Sequence, residues 1–74
     1  MSLQSSVERM GPTVTQIIHY VGGIRKTYHG IITNTIEQGQ FTKFKCKDGK
    51  MILINDINVL AIEVFKEDNA GNII

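Results

Sequence analysis

Lys43, Lys45, Lys47 and Lys50 put half of the chain's eight Lys and Arg residues into one short stretch. Lysines at alternate positions of an extended strand share one face about 7 Å apart, close to the spacing of successive phosphates along a single nucleic-acid strand. Phosphate contacts dominate salt-dependent affinity, so this stretch is a candidate surface for RNA or single-stranded DNA. Arg25 and Lys26, on another hairpin, extend it. Sequence-neutral binding also needs aromatic platforms for base stacking, and Phe41, Tyr20 and Tyr28 are the residues at hand. A second reading gives the lysines another role: charge on an exposed β-face blocks edge-to-edge aggregation of an apolar hairpin.

The other reactive side chains form no constellation. His19 and His29 lie on separate expected strands with no third ligand beside them, whereas zinc needs three or four converging ligands. Cys46 shares its expected strand face with Phe44, where a thiol behaves as a small hydrophobe. A nucleophile would need an adjacent base and a lowered pKa. Glu63, Glu67 and Asp68 fall at the end of the last strand and beyond it, and read as solubilising charge. The chain carries no glycine-rich phosphate loop, Gly-x-Ser-x-Gly elbow or His-Glu-x-x-His helix. These features indicate a protein that binds or assembles and is not an enzyme, with no cofactor and no metal.

Five β segments are expected to position these residues. Ser5-Ser6-Val7-Glu8 matches a capping box and predicts a short N-terminal helix, stopped by Gly11 and Pro12. Val14 to Val21 reads as a first strand, and a two-residue turn at Gly22-Gly23 would set Val21 opposite Ile24 and Ile17 opposite Tyr28. That pairing gathers Ile17, Val21, Ile24 and Tyr28 on one face. The second strand runs toward Ile36, and Gly30 inside it marks a bulge or bend. Phe41 to Lys47 and Lys50 to Asn55 flank Asp48-Gly49, a strong hairpin signal. A two-residue turn there places Phe44, Cys46, Met51 and Leu53 on one face, with Lys43, Lys45, Lys47, Lys50, Ile52 and Ile54 on the other. Val59 to Phe65 is apolar except at Glu63, which predicts a strand covered on both faces. The organisation expected is a tail and short helix at 1–12, a β-domain at 13–66 and a flexible tail at 67–74.

Length and composition bound the rest. A chain of 74 residues forms one domain and buries only about 60–65% of the surface its unfolded form exposes. One cysteine excludes an internal disulfide, which leaves self-association as the way to make up a small core. A formal net charge of +1 gives no overall pull toward nucleic acid or acidic membranes, so any electrostatic effect is local. Apolar runs are far short of the roughly 20 residues that span a bilayer, and with the lone thiol they point to a cytoplasmic protein without a membrane partner.

Five short strands after a short helix, with a bending glycine in the second, resemble the plan of the Sm-like small β-barrels. Gly30-Ile31-Ile32 is similar to the Gly-x-hydrophobic step of that family's first motif, and Ile54-Asn55-Asp56-Ile57-Asn58-Val59 with Ile62 to its second. The layout matches over about Ile17 to Phe65. The resemblance implies an all-β, strongly bent five-stranded antiparallel barrel that joins copies of itself edge to edge in a ring. Where the family holds uridine-rich RNA, this sequence has Ile36, Gln40, Asn55 and Asp56, of which Gln40 and Asn55 retain amides able to bond a base. The leading expectation is a ring-forming homo-oligomer contacting RNA or single-stranded DNA through Arg25, Lys26, Gln40, Lys43, Lys45, Lys47, Lys50 and Asn55. The alternative is a structural or protein-interaction module, phage-derived in one version of that reading, that binds no nucleic acid.

Overall fold

In the computed structural model, which describes residues 7–74, the regular structure is mostly β, five strands joined by turns. β1 (Thr13–Tyr20), β2 (Arg25–Ile32) and β5 (Val59–Lys66) form an antiparallel sheet in the order β2-β1-β5, and β3 (Thr42–Lys45) and β4 (Met51–Ile54) form a second. A single bridge, Ile31 to Cys46, joins β2 to the end of β3, so the two sheets follow one another without closing into a barrel. Short 3-10 turns at Thr33–Thr35 and Asp56–Asn58 carry the chain between the sheets. Val7 and Glu8 are helical, and the amides of Met10 and Gly11 turn back onto their carbonyls before Gly11 and Pro12, while Ser5 and Ser6 of the expected capping box lie outside the described residues.

Both hairpins depart from the expected register by one residue, for the same reason. Tyr20 N–H donates to Ile24 C=O and His19 faces Arg25, so Val21-Gly22-Gly23 is a three-residue loop. Cys46 N–H likewise donates to Lys50 C=O, with Lys45 facing Met51. Here Gly49 N–H donates to Cys46 C=O at 3.0 Å and Gly49 has φ +92°, the arrangement of a type I turn followed by a glycine bulge. A slip of one residue turns every side chain on the partner strand to the other face. Ile52 and Ile54 therefore point inward with Phe44, and Met51 and Leu53 stand outside, 57% and 66% exposed, beside the lysines. Val21 and Ile24, expected on one face with Ile17 and Tyr28, are also exposed.

The core is small. Val14, Ile18, Ile31, Ile36, Phe44 and Ile54 are buried, Val7 and Cys46 join them, and Tyr28 meets Phe44 edge to face at 5.7 Å. β5 is not covered on both faces within the chain, since Leu60 and Ala61 are exposed.

The expected bulge is at Gly30. Val14 pairs with Ile31 and Gln16 with Tyr28, so His29 and Gly30 together oppose Thr15. Gly30 has φ +64°, and its carbonyl receives Lys47 N–H at 2.8 Å, which ties the bend to the second hairpin. A Cβ added there would meet the Lys47 stem at 3.4 Å, an ordinary contact, so the obstacle to a side chain is the left-handed backbone. Gly30→Ala is expected to lower stability by about 1–2 kcal/mol. In urea titrations the midpoint should fall at unchanged slope, and an unchanged midpoint would remove this role from Gly30.

Candidate functional site

β3 alternates, with Thr42 and Phe44 buried and Lys43 and Lys45 exposed; just beyond it Cys46 is buried and Lys47 is exposed in the turn, its stem beside Gly30. Lys43 Nζ lies 3.0 Å from Glu37 Oε2, and Lys45 and Lys47 have no carboxylate partner among the described residues. Lys43, Lys45, Met51, Glu37, Asn34 and Thr35 line an open groove of about 370 Å³. Lys50 does not belong to this face. It pairs across the turn with Cys46, lines the opposite cleft with Tyr28 and His29, and its Nζ sits 3.7 Å from Asp48.

The remaining expected residues divide. Gln40 is exposed and, with half-exposed Phe41, flanks Lys43 along an adjoining groove. Asn55 follows Ile54, which pairs with Thr42, so it stands at the same end of the hairpin. Its Oδ1 accepts from Ile57 N–H at 3.3 Å, while Thr42 Oγ1 donates to Asp56 Oδ2 at 2.9 Å. Arg25 and Lys26 are not brought to this face. β3 meets β2 around Gly30 and Ile31, roughly 20 Å along the strand from Arg25, and successive strand residues point to opposite sides.

The residue that sequence reading missed is Glu67. Expected as surface charge, it is 8% exposed and forms the hub of a polar cluster. Its Oε2 accepts from Thr15 Oγ1 at 2.5 Å and from Gly30 N–H at 2.9 Å. Thr15 has a single hydroxyl proton, given to Glu67, so its contact with His29 Nδ1 at 3.0 Å requires the ring nitrogen to donate. The hydroxyl proton is thus held by the Glu67 carboxylate, which fixes Thr15 and His29 in one network. Burial alone would raise the Glu67 pKa, but the bonds from Thr15 and Gly30, with help from Thr13 and His29, hold it below the ordinary 4.5. Oε1 is buried without a hydrogen-bond partner.

Cys46 fits its expected role as a small buried apolar group. Burial pushes its thiol pKa up, Asp48 and Glu67 add to the rise, and Lys50 opposes it. His19 Nε2 and Glu63 Oε1 are 2.6 Å apart across β1 and β5, so Glu63 has a specific partner. Among the described residues no group of three or more His, Cys, Asp or Glu converges as metal ligands, and no helix is long and apolar enough to cross a membrane. Comparison with protein-family models, curated proteins and solved structures finds no match.

The Glu67 cluster makes stability pH-dependent with a defined sign. A carboxylate whose folded-state pKa lies below its unfolded value contributes fully above the unfolded value, and the contribution disappears as pH falls through the folded one. Melting temperature should therefore drop as pH is lowered from about 5 to 3, while Glu67→Gln should melt lower at pH 7 and lose that part of the slope. Parallel profiles for the two proteins would show that Glu67 is not the group responsible.

Proposed function

We propose that this chain is a non-enzymatic module that assembles edge to edge into a ring and binds single-stranded nucleic acid, RNA or DNA, on the outer face of the β3-β4 hairpin. The observation that carries the binding reading is the exposed row of Lys43, Lys45 and Lys47, of which Lys45 and Lys47 lack an ion-pair partner among the described residues. Unneutralised cations release counterions from a phosphate backbone at no cost in broken salt bridges. Phe41, 49% exposed at the end of the row, offers a ring for a base, and the amides of Gln40 and Asn55 stand at the same end.

The assembly reading rests on the two outer strands. Among the described residues β4 and β5 each leave one edge open over most of their length, and both carry exposed aliphatic side chains: Met51 and Leu53 on one, Leu60 on the other. Unpaired edges at the two ends of one strand order suit a head-to-tail contact, which rotational symmetry closes into a ring. The bend at Gly30 and the likeness of Gly30-Ile31-Ile32 and Ile54 to Val59 to the Sm-like motifs support the same arrangement.

One observation favours a protein partner instead. Met51 and Leu53, cross-strand from Lys45 and Lys43, give the hairpin face an aliphatic half that offers nothing to stack on a base.

Binding of a fluorescent single strand separates the two. Log affinity should fall linearly with log salt, by about 0.7 per phosphate neutralised, and the double variant Lys45→Gln, Lys47→Gln should reduce that slope by about 1.4. No binding at low salt, or a slope the variant leaves untouched, rejects the nucleic-acid reading. Light scattering should give a fixed multiple of the protomer mass, and a monomer across all concentrations rejects the ring.

A further inference from the structure

The segment after β5, expected as a flexible tail, is a hydrogen-bonded hairpin. Asp68 makes its turn: Oδ1 accepts from the amides of Ala70 and Asn72, both at 2.9 Å, and Asp68 N–H donates to Asn72 C=O at 2.8 Å. The returning arm then lies against the last residues of β5. Ile74 N–H donates to Lys66 C=O at 2.9 Å, and Ile73 bridges Glu67.

The side of β5 on which this happens is decisive. Lys66 already has Val14 of β1 as its partner on one flank, so Ile74 occupies the other, which is the flank left open along the rest of β5. Among the described residues the strand edge is therefore blocked at Lys66 and Glu67 and free from Val59 to Phe65. The block is anchored from inside, because the Glu67 side chain is bound to Thr15 and Gly30. Ile73 and Ile74, 49% and 76% exposed, carry an apolar surface past the end of the free edge.

We propose that the 67–74 hairpin is a built-in stop on the β5 edge: it takes the hydrogen-bonding positions that a strand from a second copy of this chain would otherwise use, and so limits where that strand pairs and how readily it does so. Strand edges are commonly blunted by covering them, and a cover made of two backbone contacts is weak enough to be displaced. The inference rests on the edge-to-edge assembly proposed above, with β5 as one of the joining strands.

Two variants outside the core test it. Asp68→Ala removes the acceptor that shapes the turn, and Ile74→Pro removes the amide that bonds Lys66. Each leaves the bonds of Glu67 to Thr15 and Gly30 in place. Mass against concentration by light scattering, with amide protection at residue 74 by NMR for wild type and Asp68→Ala, reads the result. Freed of the stop, both variants should reach half-assembly at a concentration about threefold to tenfold below wild type, the ratio set by one net backbone hydrogen bond. Protection at Ile74 should fall in Asp68→Ala. If wild type assembles and both variants follow its curve, the stop is overturned and the assembly stands. If all three remain monomeric, the assembly reading fails and takes the stop with it.

Discussion

A β-strand that pairs with one neighbour along its length and then hands over to another must turn a corner without stranding a buried amide. In this fold the corner is at Gly30. Two residues of β2 oppose Thr15, Gly30 adopts a left-handed conformation, and its N–H, freed from the ladder, is taken by the carboxylate of Glu67 from the end of β5. Burying a carboxylate is costly unless its charge is met by donors, and hydrogen bonds to a charged group are worth about 1.5–3 kcal/mol each. Thr15 and Gly30 supply two such bonds, so one acidic side chain joins β1, the bend of β2 and the last strand. With the bend fixed, Ile31 reaches Cys46 and Gly30 C=O receives Lys47 N–H, which holds the second hairpin against the first sheet.

Strand positions were legible because each is a β-branched or aromatic run between strong turn residues. The bulge was legible for a related reason, since a glycine has little other business inside a strand. Hairpin register was not. Gly22-Gly23 and Asp48-Gly49 each suit a two-residue turn or the end of a three-residue one, and the difference lies in backbone hydrogen bonds that residue types do not determine. That single choice decided whether Met51 and Leu53 or Ile52 and Ile54 entered the core. Glu67 was illegible for a different reason. Its partner Thr15 is 52 residues away, and a Lys-Glu-Asp sequence after a strand looks like any solvated end. Of the candidate surface, the exposure of Lys43 and Lys45 on one side of β3 was legible because period two belongs to one strand alone, whereas the positions of Lys47, Lys50, Arg25 and Lys26 depend on how the turn forms and the strands meet.

The small core leaves its mark on the surface. Few side chains are fully buried, and Val21, Ile24, Ile57 and Leu60 remain exposed around the β1-β2 turn and the start of β5, where Val21 N–H bonds Asn58 C=O. Fully burying an aliphatic side chain of this size is worth about 1.5–3 kcal/mol, so the exposed ones represent stabilisation that the isolated protomer does not collect. In the edge-to-edge assembly proposed above, a neighbouring copy would supply that cover.

Where the lysines stand bears on why they are there. Charges that protect a sheet from edge-to-edge pairing do so from the edge strand, where a partner would have to bury them. In this fold the outer strand of the second sheet is β4, Met51-Ile52-Leu53-Ile54, which has no charged residue at all. The lysines are one strand further in, on β3, whose Lys43 is bridged on its other side by Glu37. A protective row would be expected on the opposite strand of the hairpin. The arrangement found leaves the described edge of β4 apolar while setting the cations on a face, as the proposed strand pairing and binding require.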